Sequence, residues 1–188
     1  MKKIMFNDKY GLTEAVLKGR KTMTRRIVPG KLVKAIEGGM PGYAVMESKY
    51  EPGEVVAVAQ SLRDMGYDPR DTRHKSGAIW GLDHTPAWTN KMFVSASECI
   101  HYIRITNVRV ERLQDISDGD CVWEGVVGFT CNLYEYRGIC YSFPGDKNKM
   151  GTYLTPREAF ASLIDKVSGK GTWDSNPWVF VYEFENVR

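Results

Sequence analysis

The sequence has 188 residues, a hydrophobic content of 43% and a formal net charge of +3. A chain of this length buries a proper core, and its composition argues against a disordered tail, because enough apolar surface is present to offset the entropy lost on folding. The charge is uneven, since the first 34 residues hold ten Lys and Arg but two acidic residues. Local basicity favours an anionic partner, and a solvated N-terminal face is the ordinary alternative.

The sequence lacks the patterns that are typical of membrane proteins and of metal-binding proteins. No apolar run reaches the roughly 20 residues that cross a bilayer, and the first residues lack the apolar core of a signal peptide. We therefore expect a cytoplasmic protein with no membrane partner. The four cysteines lack CxxC spacing and the three histidines fit no ligand pattern, which predicts reduced, buried thiols, no metal and no cofactor. No pattern specifies an oligomeric state.

The first quarter of the chain is predicted to hold a short strand, Lys2 to Phe6, and a helix that ends near Lys18, with Thr13 as a cap if the helix is shorter. Gly19 is typical of the residue after a helix, because it adopts a positive φ without steric cost. Beyond it, the Gly-rich segment from Lys31 to Lys49 predicts turns and short extended pieces, Tyr43 to Met46 among them.

The middle of the chain is predicted to contain strands and one long loop. The continuous apolar run from Val55 to Ala59 is typical of a buried central strand. The charged, turn-rich segment from Ser61 to Thr89 indicates a long loop or insertion. Alternating residues from Cys99 to Leu113 then predict two strands or one long bent strand.

Two helices are expected in the second half. The segment from Ile116 to Gly125 combines a Ser or Asp N-cap with a Gly stop, which places Glu124 at a helix C-terminus. The helix dipole disfavours a carboxylate there, so Glu124 is a modest functional hint. The run Thr155-Pro156-Arg157-Glu158 predicts a capping box at the start of the second helix.

The remaining segments complete an α+β pattern. Phe129 to Lys149 resembles an aromatic-rich hairpin or loop insertion, with turns at Arg137-Gly138 and Pro144-Gly145. Trp178 to Phe184 is typical of a strand. Strands separated by short helices without a βαβ rhythm predict a mostly antiparallel β-barrel decorated by helices. We expect one domain over residues 1–188, with insertions at about 61–89 and 129–149.

The densest functional signal is the stretch Gly19-Arg20-Lys21-Thr22-Met23-Thr24-Arg25-Arg26, in which four of eight residues are cationic. In an extended segment Thr22, Thr24 and Arg26 share one face, while Lys21, Met23 and Arg25 share the other. A helix end that presents Lys21 at the mouth of such a strand is a candidate cradle for an anionic or polar ligand. A solvated strand edge is the alternative.

This stretch resembles the signature of ASCH domains, which belong to the PUA-like β-barrel superfamily. Three further segments resemble the same family in the same order: Pro52 to Val56, Leu113 to Gly125, and Asn176 to Val181, the last being similar to the closing strand of longer, phage-type members. The resemblance implies a PUA-like barrel with a cleft beside the signature. It leaves the two predicted insertions unexplained.

The resemblance implies two functions. PUA-like barrels commonly bind RNA, which makes RNA or a nucleotide the expected partner of a basic cleft lined by ligand-binding residues: Arg20, Thr22, Arg25 and Arg26. One branch of small ASCH proteins instead removes the acetyl group of N4-acetylcytidine. A structural or protein-interaction role is the third possibility.

Laid on this sequence, the amidohydrolase site becomes Lys21, Thr24 and Glu124. Thr24 would be the nucleophile, Lys21 its activating base, and Glu124 a proton shuttle or the residue that orients Lys21. A free Lys titrates near about 10.4, so it serves as a base if it is desolvated or lies among other cations. The Trp residues at positions 123, 173 and 178 are predicted to be core.

Overall fold

The computed structural model describes residues 1–72, 80–133, 136–146 and 153–187, with the side chains of residues 133 and 136 left aside. Over these residues strands and helices alternate irregularly. The strands are β1 (Lys3–Ile4), β2 (Met23–Ile27), β3 (Val55–Val58), β4 (Tyr102–Arg112), β5 (Val127–Leu133), β6 (Tyr136–Ser142) and β7 (Trp178–Val187). The α-helices are α1 (Leu12–Leu17), α2 (Gly30–Glu37), α3 (Pro41–Met46), α4 (Asp118–Trp123), α5 (Pro156–Ser168) and α6 (Thr172–Ser175).

The strands form two sheets. One has five strands in the order β1-β3-β4-β7-β2, and the other is the β5-β6 pair. Strands β1 and β3 run parallel, whereas the pairs β2-β7, β3-β4 and β5-β6 are antiparallel. The predicted α+β class is therefore confirmed. The described strands form open sheets and do not close into a barrel.

The chain divides into two compact units. The first contains Met1–Phe6, Val55–Arg104 and the C-terminal residues from Asn186. In it β3 lies between β1 and β4, as predicted for the apolar run at Val55. The predicted insertion at 61–89 belongs to this unit. Its Leu62, Leu82 and Ala87 share one buried cluster with Ala57 of β3 and with two residues that follow the insertion, Val94 and Cys99. The described part of the insertion therefore packs onto β3.

The second unit contains Asn7–Glu54 and Ile105–Glu185. Its core joins β2 and β7 to α4 and α5 through buried apolar residues: Met23, Leu113, Ile116, Cys121, Val126, Ala159, Phe160, Ile164, Val179 and Val181. Burial of this kind contributes about 25 cal/mol for each Å² of apolar surface removed from water. The core therefore fixes β2, which carries the basic stretch, against α4. The prediction of one domain with two insertions stays a prediction.

The segment from Lys31 to Lys49 was expected to be extended, and that expectation is wrong. It forms α2 and α3, in which Pro29 is the N-cap of α2 and Pro41 begins α3. Leu32 and Ile36 are buried at the i, i+4 spacing that puts both on one helix face. The Gly and Pro residues that suggested turns instead mark the helix ends.

The predicted turn at Arg137-Gly138 is also wrong, because both residues lie within β6. Arg137 pairs with Asn132 and Gly138 pairs with Cys131. The connection falls at residues 134–135, outside the described residues, whereas the turn at Pro144-Gly145 is present as predicted.

Individual residues and elements test further predictions. One long strand, β4, spans the alternating segment, and Gly19 has a φ of 68° just after α1. The cap of α1 is Gly11, so Thr13 lies inside the helix and does not cap it. All four cysteines are free and buried. Within the described parts of the chain, no helix is both long and apolar enough to cross a membrane.

The capping box of α5 gives the first testable prediction. The side chain of Thr155 accepts a hydrogen bond from the backbone N–H of Glu158, and the Glu158 carboxylate accepts one from the backbone N–H of Thr155. We expect Thr155→Ala to lower the free energy of unfolding by about 1 kcal/mol, measured by urea denaturation. Ser168→Ala, at the other end of the same helix, is the matched control. Equal effects of the two changes would contradict a stabilising cap.

Candidate functional site

Lys21 is brought to the interior by the end of α1. The backbone N–H groups of Arg20 and Lys21 both donate to the carbonyl oxygen of Ala15, at 2.9 and 3.0 Å. The positive φ of Gly19 allows this tight turn, which leads directly into β2. The Lys21 side chain is 2% exposed. The predicted cation at the mouth of the strand is therefore a buried one.

Glu124 is the partner of Lys21. The Lys21 Nζ donates to the Glu124 carboxylate Oε2 at 2.5 Å and to the Glu124 backbone oxygen at 2.8 Å. Glu124 is the C-cap of α4, as predicted, and is 4% exposed. The ammonium group therefore meets both the carboxylate and a carbonyl at the negative end of the helix. This explains a Glu at a position that the helix dipole disfavours.

The surroundings of Lys21 change its acidity. Burial lowers the pKa of the ammonium from its ordinary value. The carboxylate of Glu124 opposes this shift, while the positive charges of Arg26 and Arg25 add to it. The net shift is downward, which is the direction that a lysine needs to act as a base. Both conditions expected for a basic lysine, desolvation and neighbouring cations, are present.

Gly125 allows α4 to end against Lys21. Its φ is 110°, a conformation that L side chains rarely adopt. A Cβ at this position would lie 3.3 Å from the Leu12 Cδ2 and 3.9 Å from the Lys21 Cδ. The helix stop that the sequence predicts is therefore also a point of close packing beside the ion pair.

Arg25 binds three carboxylates. Its Nη1 donates to the Glu124 Oε1 at 3.2 Å, and its Nη2 donates to the Asp120 Oδ2 at 2.6 Å. The Nη2 and Nε also donate to the Glu111 Oε1, at 2.6 and 3.0 Å. Burial by itself lowers the pKa of this guanidinium, but the carboxylates, Glu124 first, outweigh burial and raise it. Arg25 is therefore a permanent cation that holds Glu124 in place.

Arg109 continues the network toward the surface. It donates to the Glu111 Oε2 at 3.1 Å and to the Asp120 Oδ2 at 2.9 Å, and it also pairs with Glu183. Its side chain is 34% exposed. Three cations and four carboxylates thus form a continuous set that runs from the buried Lys21 outward.

The other predicted site residues are placed differently. Arg20 is exposed, whereas Thr22 and Arg26 are half-buried. Thr24 is buried and pairs in register with Tyr182 of β7. Successive residues of a strand point to opposite faces, so Thr24 lies on the face opposite Arg25 and its contact with Glu124. The structure therefore joins Lys21 to Glu124, and strand alternation turns the Thr24 side chain away from the contact between Arg25 and Glu124.

Four members of the network were not found from the sequence: Arg109, Glu111, Asp120 and Glu183. Glu111 and Asp120 lie in β4 and in α4, and neither belongs to the basic stretch. One signal was available, because Arg109 and Glu111 are two residues apart and therefore share a face of the predicted strand. The sequence alone does not show that this face meets β2.

The predicted burial of three Trp residues holds in part. Trp173 packs against the core of the second unit, and Trp178 is half-buried beneath the Arg112 guanidinium, 4.4 Å from its ring centre. Trp123 does not lie in the core, because 52% of its surface is exposed. It follows Val122 at the last turn of α4, on the side of the helix away from Cys121 in the core.

Comparison of the chain with protein-family models, curated proteins and solved structures finds no match. The resemblance to ASCH domains therefore stays an expectation from the sequence. The geometry of the site carries the functional argument.

The difference in burial between Arg25 and Arg109 predicts that the two side chains contribute differently to stability. Arg25→Gln removes the buried positive charge that pairs with the carboxylates of Glu111, Asp120 and Glu124. We expect it to lower the free energy of unfolding by roughly 3 kcal/mol or more. Arg109→Gln acts at a partly exposed position and should cost about 1 kcal/mol. Urea denaturation of both variants measures the difference. Equal costs would argue against Arg25 as the central cation.

The lowered pKa of Lys21 predicts how stability depends on pH. Between the folded pKa and the unfolded value of 10.5, the unfolded state binds more protons than the folded state. The contribution of Lys21 to the free energy of unfolding should therefore rise with pH in this window. Urea denaturation from pH 7 to 10.5 should show the wild type gaining stability relative to Lys21→Met. A relative loss of stability with rising pH would mean that the pKa is raised instead.

Proposed function

We propose that this chain is a cytoplasmic, ASCH-like member of the PUA-like superfamily that hydrolyses the acyl amide of a modified nucleoside such as N4-acetylcytidine. One observation carries the proposal: a buried lysine with a lowered pKa lies in hydrogen-bond contact with a buried carboxylate. A lysine with a lowered pKa loses its proton at a lower pH than an ordinary lysine, which is the change that a general base requires. The same two residue types stand at the positions that the ASCH amidohydrolase branch uses.

The reaction needs a nucleophile, a base and a proton for the leaving nitrogen. In its neutral form the Lys21 amine accepts a proton from a water molecule as the water oxygen bonds to the acyl carbon. The protonated Lys21 then gives this proton to the leaving nitrogen, and the carbon–nitrogen bond breaks. The products are the carboxylic acid and the free exocyclic amine, so atoms and charge balance.

Glu124 orients the base in this mechanism. Its Oε2 accepts from Lys21, while its Oε1 is held by Arg25, so the carboxylate has one arrangement. Water is assigned as the nucleophile because Thr24 lies on the other face of β2. Since Lys21 and Glu124 are both buried, a substrate reaches them by displacing the groups that cover them.

RNA or nucleotide binding without catalysis is the second candidate. The observation that favours it is the exposure of most cations near the start of the second unit: Lys9, Lys18, Arg20, Lys31 and Lys34. Phosphate contacts from such residues give salt-dependent affinity. Lys21 and Arg25 contribute less to this function than their place in the signature suggests, because carboxylates already bind them.

The hydrolase proposal predicts turnover of N4-acetylcytidine by the purified protein. Lys21→Ala should lower kcat/KM at least about 100-fold, because it removes the general base. Release of cytidine, followed by chromatography, measures this. The profile of kcat/KM against pH should rise on one limb as Lys21 loses its proton.

Thr24→Val is the informative companion variant, since it removes the hydroxyl and keeps the shape. We expect it to retain activity within a few-fold of the wild type, as water is the nucleophile. Complete loss of activity in a folded Thr24→Val protein would restore Thr24 as the nucleophile. Absence of turnover over a panel of acylated nucleosides, together with salt-dependent RNA binding, would favour the second candidate.

A further inference from the structure

Two exposed side chains lie next to the buried ion pair, one on each segment that holds it. Arg20 directly precedes Lys21, and Trp123 directly precedes Glu124. The two segments are joined where the backbone N–H of Thr22 donates to the carbonyl oxygen of Trp123 at 3.0 Å. Arg20 and Trp123 are therefore each one residue away from a member of the ion pair, on two segments that a backbone hydrogen bond joins.

Trp123 is exposed in a way that core packing does not explain. More than half of its surface faces solvent, and the adjacent Val122 is 41% exposed. By contrast, Trp173 packs onto Phe160 with ring centres 6.2 Å apart. An exposed indole at the rim of a polar site offers a flat face on which a planar ring stacks.

Arg20 is the exposed cation of the signature. Lys21 and Arg25 are buried against carboxylates, and Arg26 is half-buried. A guanidinium presents several N–H donors in one plane and binds phosphate through paired hydrogen bonds. The buried cations of the signature are already paired with the carboxylates of Glu124, Asp120 and Glu111. Arg20 is therefore the cation that an anionic ligand in solvent can reach.

We propose that Trp123 and Arg20 form a recognition subsite in which a planar base stacks on the indole and its phosphate binds the guanidinium. The ligand of the Lys21–Glu124 site is then a nucleotide, free or within an RNA strand, and not an unphosphorylated nucleoside. This inference rests on the proposed function for the identity of the site. To that function the inference adds the indole of Trp123 and the guanidinium of Arg20 as the groups that select the ligand.

Binding of three small probes tests the subsite by isothermal titration calorimetry. Cytidine 5′-monophosphate carries a base and a phosphate. Cytidine carries the base alone, and ribose 5-phosphate carries the phosphate alone. Trp123→Ala should weaken the two base-containing probes roughly 5- to 100-fold and leave ribose 5-phosphate unchanged. Arg20→Gln should weaken the two phosphate-containing probes and leave cytidine unchanged.

Salt dependence separates the phosphate contact from stacking. Arg20→Gln should reduce the slope of log affinity against log salt for cytidine 5′-monophosphate by about one, whereas Trp123→Ala should leave that slope unchanged. Binding of a cytidine pentanucleotide shows whether the ligand is a free nucleotide or part of an RNA strand. Tighter binding of the pentamer than of the monophosphate would assign RNA, and equal binding would assign a free nucleotide.

Matched controls are available in the chain. Trp80 and Arg63 are exposed and belong to the first unit, and Arg63 pairs with Asp64. Trp80→Ala and Arg63→Gln should bind all three probes like the wild type. The subsite would be overturned if none of the probes binds the wild-type protein, or if the control variants weaken binding as much as Trp123→Ala and Arg20→Gln.

Turnover distinguishes this proposal from the one on which it rests. With N4-acetylcytidine 5′-monophosphate as substrate, Trp123→Ala and Arg20→Gln should raise KM and leave kcat unchanged. Turnover with an unchanged KM in both variants would overturn the subsite and leave the hydrolase intact. The expected binding pattern without turnover would support the subsite and overturn the hydrolase.

Discussion

The buried contact between Lys21 and Glu124 is the interaction on which the second unit depends. It joins residues 103 positions apart in the chain, and it links the end of α1 to the end of α4. Two buried charges are expensive to remove from water, so such a pair persists where hydrogen bonds meet both partners. Here the ammonium group binds the carboxylate and the carbonyl of the same residue, and Arg25 binds the other carboxylate oxygen.

The wider network places this pair in a continuous set of alternating charges. Arg25 is buried, and the carboxylates of Glu111 and Asp120 bridge it to the partly exposed Arg109. The side chains of Lys21 and Arg25 are 2% and 0% exposed and that of Arg109 is 34% exposed, so the cost of desolvation falls toward the surface end of the network. The same network that stabilises the fold also fixes the orientation of Glu124, so structure and chemistry use the same residues here.

A basic sequence stretch therefore divides into two kinds of cation after folding. Lys21 and Arg25 turn inward and become part of an internal ion network, whereas Arg20 remains in solvent. A buried lysine with a lowered pKa suits proton transfer, and an exposed arginine suits anion recognition. The division places a buried lysine beside a carboxylate and leaves Arg20 and Trp123 exposed on the two adjoining segments.

The sequence by itself determined the local elements of the fold. The capping box predicted α5, the apolar run predicted β3, and Gly19 and Gly125 predicted the helix ends on both sides of the site. These features depend on neighbours within about one helical turn, which a sequence displays directly. The same local rules misassigned α2 and α3, because Gly and Pro mark helix ends as readily as turns.

Tertiary structure alone decided which charges meet. Lys21 and Glu124 were both candidates from the sequence, but their contact and the three carboxylates on Arg25 depend on the packing of β2 against α4. Exposure was decided in the same way, since an apolar Trp123 was expected in the core and lies at the surface. Pairing and burial are properties of long-range packing, so residue type and spacing do not specify them.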